Sequence, residues 1–172
     1  MLDDLNYTTN KVEWSFETAI IEKDLDDIIT ATENTSNHYV YVETGKNFVA
    51  QVGYFFDFSG VLLLSFDLEK GVLNWSTGNS IQNYDFSQVG YFPSKNMTTI
   101  LVNNGVLIFD SMGNKLFLIS SPVDYSLEYF QEFPDYISVV ATSIKNADKY
   151  GRTQYNLKIN VDSKKLENVN LA

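Results

Sequence analysis

Hydrophobic and polar residues alternate along this chain in short bursts with a period of two. The clearest bursts are Tyr39-Val40-Tyr41-Val42-Glu43 and Tyr155-Asn156-Leu157-Lys158-Ile159-Asn160-Val161. Such alternation predicts strands with one buried face. Clusters of Ser, Asn, Gly, Asp and Lys separate the bursts, as hairpin turns would. Three series of strands result. The first runs His38 to Glu43, Asn47 to Phe56, Gly60 to Phe66 and Gly71 to Ser76. The second runs Val89 to Phe92, Thr98 to Val102, Gly105 to Asp110 and Lys115 to Ser120. The third runs Leu127 to Phe133, Tyr136 to Ile144, Thr153 to Asn160 and Lys164 to Leu171. Pro93, Pro122 and Pro134 all fall between bursts, where a missing N–H is harmless.

One segment breaks this rhythm. Ile21, Leu25, Ile28 and Ile29 share one face at helical spacing, and Asp24, Asp26 and Asp27 enrich its first turns. This predicts a short N-terminal helix within residues 17 to 32. In the competing reading, Asp27 to Thr32 is the opening strand of the first series.

The series also look like repeats. Ser65 to Ser76 has a counterpart in Ile108 to Ile119, 43 residues on, and a degenerate one in Ile159 to Val169. Each is a strand, an Asp, a polar turn and a second strand, which makes Asp67, Asp110 and Asp162 turn residues. Val52-Gly53-Tyr54-Phe55 recurs as Val89-Gly90-Tyr91-Phe92, and Lys11 to Ser15 resembles the strand around Trp75. The Phe66-Asp67-x-x-x-Gly71-x-x-x-Trp75 pattern resembles the outer hairpin of a quinoprotein-type or WD-like β-propeller blade. That resemblance implies a Trp packed between neighbouring sheets. It covers about three blades over residues 38 to 172, fewer than propellers use to close. The expected fold is therefore mainly β. It is an antiparallel meander of about three propeller-like hairpin repeats, arranged as an open or irregular propeller, a sandwich or a barrel.

Length and composition narrow the chemistry. The chain has 172 residues, 44% apolar and 15% aromatic, which suits a single domain with a substantial core. Within it, an acidic segment, 1 to 37, precedes the β-repeat region. Cysteine is absent and His38 is the one histidine, so thiolate zinc sites, disulfides and cysteine nucleophiles are ruled out. The beginning, Met1-Leu2-Asp3-Asp4-Leu5-Asn6, has no basic or apolar signal region, and no apolar run is long enough to span a membrane as a helix. A cytoplasmic protein without a membrane partner is expected. No Gly-rich phosphate loop occurs. Asp24 to Asp27 and Asn146 to Gly151 imitate parts of calcium loops but lack the closing ligands. No metal and no cofactor is therefore expected, and His38 reads as a solvated residue at a loop end.

The charge is uneven. Residues 1 to 43 hold ten acids and two bases, net -8, whereas residues 44 to 172 hold twelve acids and ten bases, net -2. An acidic chain is a poor ligand for nucleic acid, but a concentrated acidic region steers a cationic partner. The expected function is a non-catalytic protein-binding module that captures a basic protein. Glu22, Asp24, Asp26 and Asp27 are the candidate partner-binding residues. In size and charge the chain resembles bacterial toxin-neutralising immunity proteins, which implies occlusion of a basic toxin. The alternatives are a propeller-like scaffold or ligand-binding module and, third, a carboxylate-based hydrolase.

Overall fold

A computed structural model describes residues 2–145, 147–148 and 150–171. It is built of strands, as the alternation predicts. Among the described residues the one helical element is a 3₁₀ turn, Pro93–Lys95. Contacts divide the chain into two compact units, Met1–Tyr84 and Asp85–Ala172.

The first unit holds two sheets, each an antiparallel meander in chain order. One comprises β1 (Leu2–Tyr7), β2 (Lys11–Phe16) and β3 (Ala19–Asp24). The other comprises β4 (Ile28–Asn34), β5 (Tyr39–Lys46), β6 (Val49–Asp57), β7 (Leu62–Asp67), β8 (Val72–Trp75) and β9 (Ser80–Ile81). Alternate residues explain how they join. Val12 and Trp14 on β2 and Val40 and Val42 on β5 point to one shared core with Leu2, Ile28, Phe56 and Phe58. The other face of the six-stranded sheet carries Tyr39, Phe55, Leu64, Phe66, Leu73 and Trp75, all buried. Trp75, drawn from the blade-like pattern, is 4% exposed.

The helix expected near residues 21 to 29 is not formed. Ile21 lies in β3 and Ile28 opens β4, so the competing strand reading holds for Ile28 to Thr32. Pairing with β2 satisfies the backbone of β3 across the ladder Lys11↔Asp24 to Phe16↔Ala19. The N–H groups of Leu25 and Ile28 reach the carbonyls of Asn10 and Thr9 instead of a preceding helical turn. Asp27 has φ 57, which no right-handed helix admits. The i, i+4, i+7 spacing of Ile21, Leu25 and Ile28 arose from two strands with a turn between them.

The second unit also holds two antiparallel meanders. One is β10 (Phe86–Phe92), β11 (Met97–Val102), β12 (Gly105–Phe109) and β13 (Lys115–Ser120). The other is β14 (Tyr125–Glu132), β15 (Ile137–Ser143), β16 (Gln154–Asn160) and β17 (Lys165–Leu171). Leu101, Val106, Ile108 and Ile119 from the first share a core with Ile137, Val139, Leu157 and Ile159 from the second. Each of the three strand series thus falls within a sheet of its own.

Two loop designs recur. Loops of four residues join Asn34 to Tyr39, Asp67 to Val72 and Asn160 to Lys165. In each, the first side chain accepts the N–H three residues on, at 2.9 Å from Asn37, Lys70 and Ser163. In each, the last loop residue is left-handed: His38 at φ 55, Gly71 at φ 62 and Lys164 at φ 54. A shorter design uses Asp57, Asp110 and Asp148, whose carboxylates accept the N–H four residues on, from Val61, Asn114 and Arg152. Asp67 and Asp110 are therefore turn residues of different turns. In the third hairpin it is Asn160, not Asp162, that occupies the place of Asp67.

Candidate protein-binding face

Consecutive hairpins bring alternate turns to the same end of a sheet. At one end of the first unit, three turns are tied together by backbone hydrogen bonds. Leu25 N–H donates to the Asn10 carbonyl at 3.2 Å, and Ile28 N–H donates to Thr9 at 2.9 Å. Gly45 N–H donates to the Asp27 carbonyl at 2.9 Å. The turn after β1, the turn after β3 and the tip of the β5–β6 hairpin therefore stand side by side.

All four candidate residues lie at or beside this end, and all are exposed. Glu22 and Asp24 share the outer face of β3, while Asp26 and Asp27 form the turn. Their circumstances differ. Glu22 sits across from Glu13, and the Lys11 ammonium bridges the two at 2.7 and 2.9 Å. The hydrogen bond to Glu22, then that to Glu13, holds the Lys11 ammonium well above its ordinary value. Glu22 is thus engaged within the fold. Asp24, Asp26 and Asp27 make no side-chain ion pair or hydrogen bond among the described residues. Their charge is fully presented to solvent.

The hairpin bonded to that turn through Gly45 carries a residue that charge patterning alone did not select. Lys46 pairs with Val49, so Asn47 and Phe48 are a two-residue hairpin loop. Both have positive φ, 53 and 61. Such loops favour Asn-Gly, because the second residue must be left-handed without a Cβ clash. Phe48 stands where glycine is preferred, and it is 93% exposed; Val49 beside it is 63% exposed. A bulky aromatic at positive φ is a strained choice. The legible signal was Lys46-Asn47-Phe48-Val49, a turn pair with an aromatic in its second place.

The other potential chemistry is distributed elsewhere. His38 is exposed and meets the Phe58 ring edge-on at 5.8 Å. Among the described residues no group of three or more His, Asp or Glu side chains is placed to hold a metal ion. The Asp148 carboxylate accepts from the N–H groups of Tyr150 and Arg152 and pairs with the Arg152 guanidinium at 2.8 Å. Asn146 and Lys149 of that calcium-like stretch lie outside the described residues. No helix among the described residues is long and apolar enough to cross a membrane. No protein-family model, curated protein or solved structure matches this chain.

Proposed function

We propose that this protein is a non-catalytic binding module that captures a basic protein partner through the turns at this end of its first unit. The observation that carries the reading is Phe48. A sequence free to place glycine at the tip places an exposed aromatic there, on a hairpin whose Gly45 N–H donates to the Asp27 carbonyl of the acidic turn. Interfaces use an aromatic anchor that fills a pocket, rimmed by charges that steer the approach. The partner is a protein with an apolar pocket bordered by Lys and Arg. Occlusion of a cationic active site, as bacterial immunity proteins achieve against toxins, is the mode this pairing would serve. The three strand series, each meandering in chain order, also support a propeller-like description of the scaffold that holds the face.

The test is affinity capture from the native cells with three immobilised baits: the parent chain, Asp24→Lys with Asp26→Lys, and Phe48→Ala. Proteins identified by mass spectrometry as basic, held by the parent and lost from both variants, support the reading. Association of the purified partner should then slow severalfold on charge reversal at low salt. The difference should fade as the screening length falls from about 30 Å at 0.01 M to about 8 Å at 0.15 M. Specific partners that are acidic, or that bind all three baits equally, would overturn it.

A further inference from the structure

At the opposite end of the same unit, the β2–β3, β4–β5 and β6–β7 turns border an open cleft of about 690 Å³. Its volume lies within the usual range for ligand clefts, about 300–1,000 Å³. Phe16 and Phe58 form its apolar surface, with ring centroids 5.7 Å apart. Glu17, Glu33 and Asp57 stand around it, together with His38. Among the described residues no lysine or arginine lines it.

We propose that this cavity binds a guanidinium group. Three carboxylates with no lining Lys or Arg disfavour an anion. They also do not converge as a metal-ligating group, so a compact dication is poorly matched. A flat, weakly hydrated cation satisfies both halves of the site. It lies against an aromatic ring, within about 6 Å of the centroid, and donates to carboxylates at its edge. An ammonium offers the charge without the flat face. The carboxylates are unequally available. Asp57 already accepts from Ser59 Oγ at 2.7 Å and Val61 N–H at 2.9 Å. Glu17 and Glu33 have no side-chain hydrogen bond or ion pair among the described residues. They are the primary acceptors, with Asp57 adding field from a fixed position.

The single histidine supplies the assay. His38 lines the cavity, so its imidazole C–H signals in NMR report occupancy without ambiguity. The probes are N-acetyl-arginine amide, a Gly-Arg-Gly peptide and the matching citrulline peptide, which keeps the shape but not the charge. Both arginine probes should shift the His38 signals saturably, and the citrulline peptide should not. Glu17→Gln with Glu33→Gln should weaken binding roughly tenfold or more, with the remaining spectrum unchanged because both residues are exposed. Tighter binding of the peptide assigns the group to a partner chain; equal binding assigns it to a small molecule. No saturable shift at tens of millimolar, equal binding of citrulline, or indifference to the double variant would overturn the proposal. Because the probes are small and the cavity lies away from Phe48, these outcomes are independent of the capture experiment.

Discussion

The indole N–H of Trp14 donates to the backbone carbonyl of Phe58 at 2.8 Å, across 44 positions of chain. It ties the three-stranded sheet to the β6–β7 turn of the six-stranded one. Trp14 is 1% exposed and Phe58 is buried as well, so both ends of this bond are shielded from solvent. Trp14→Phe keeps an aromatic but removes the donor. It should cost about 1–3 kcal/mol for the stranded acceptor, while Trp14→Ala should cost about 3–5 kcal/mol. Urea midpoints ordered parent, Phe, Ala would bear this out; a Phe variant as stable as the parent would refute it.

Gly53 sits in mid-strand opposite Phe66, and the Phe66 ring lies over it. A Cβ at Gly53 would meet Phe66 Cε1 at 2.2 Å. Gly53→Ala should therefore destabilise by about 1–3 kcal/mol, the usual range for overpacking. Shortening the opposing side chain should relieve part of the clash. In a double-mutant cycle, Gly53→Ala with Phe66→Leu should cost less than the two single changes combined. Strict additivity would show that the ring is not what excludes the methyl.

Three loop carboxylates tie stability to pH. The Asn114 side-chain amide, aided by loop N–H groups, holds Asp110 below its ordinary value. At Asp67 burial opposes ionisation, but hydrogen bonds from the Lys70 side chain and N–H outweigh it. At Asp148 burial likewise opposes, and Arg152 prevails with its N–H and side chain. A depressed folded value means the stabilisation is fully present above the unfolded carboxylate value, about 3.9. It is lost as pH falls below that toward the folded values. Denaturation midpoints should be flat from neutral pH to about 5 and fall below about 4. Asp110→Asn should make that acid slope shallower, and an unaltered slope would contradict the assignment.

Phe48 should set binding against stability. Phe48→Gly removes the ring and relieves a left-handed conformation that costs roughly 1–3 kcal/mol in other residues. Part of that gain, about 0.5–1 kcal/mol, is returned to the flexible unfolded chain. The glycine variant should unfold at higher denaturant than the parent yet release the partner faster. Phe48→Ala should match it in binding but not in stability. A glycine variant that is less stable than the parent would mean the ring contributes to the fold itself.

Much of the architecture was legible in local pattern. The alternation around Tyr39 and Tyr155 specified strands because a pleated strand turns successive side chains to opposite faces. The turn residues separated the second and third series correctly, since each strand there pairs with its neighbour in sequence. Leu2–Tyr7 was not legible: LDDLNY has little alternation, and β1 exists because β2 offers it a partner and the core accepts Leu2. Ile21 to Ile29 conceals its strands for a related reason. Its spacing fits a helix, and only the ladder from β2, together with the bonds to Thr9 and Asn10, makes strands the lower-energy choice. At the candidate face, the sequence determined that Asp24, Asp26 and Asp27 are close together and charged. Tertiary structure decided that Lys11 engages Glu22 and that the hairpin carrying Phe48 is bonded through Gly45 to the turn at Asp27. Charge density belongs to the chain, whereas proximity of distant turns arises from hydrogen bonds that form only once the sheets are assembled.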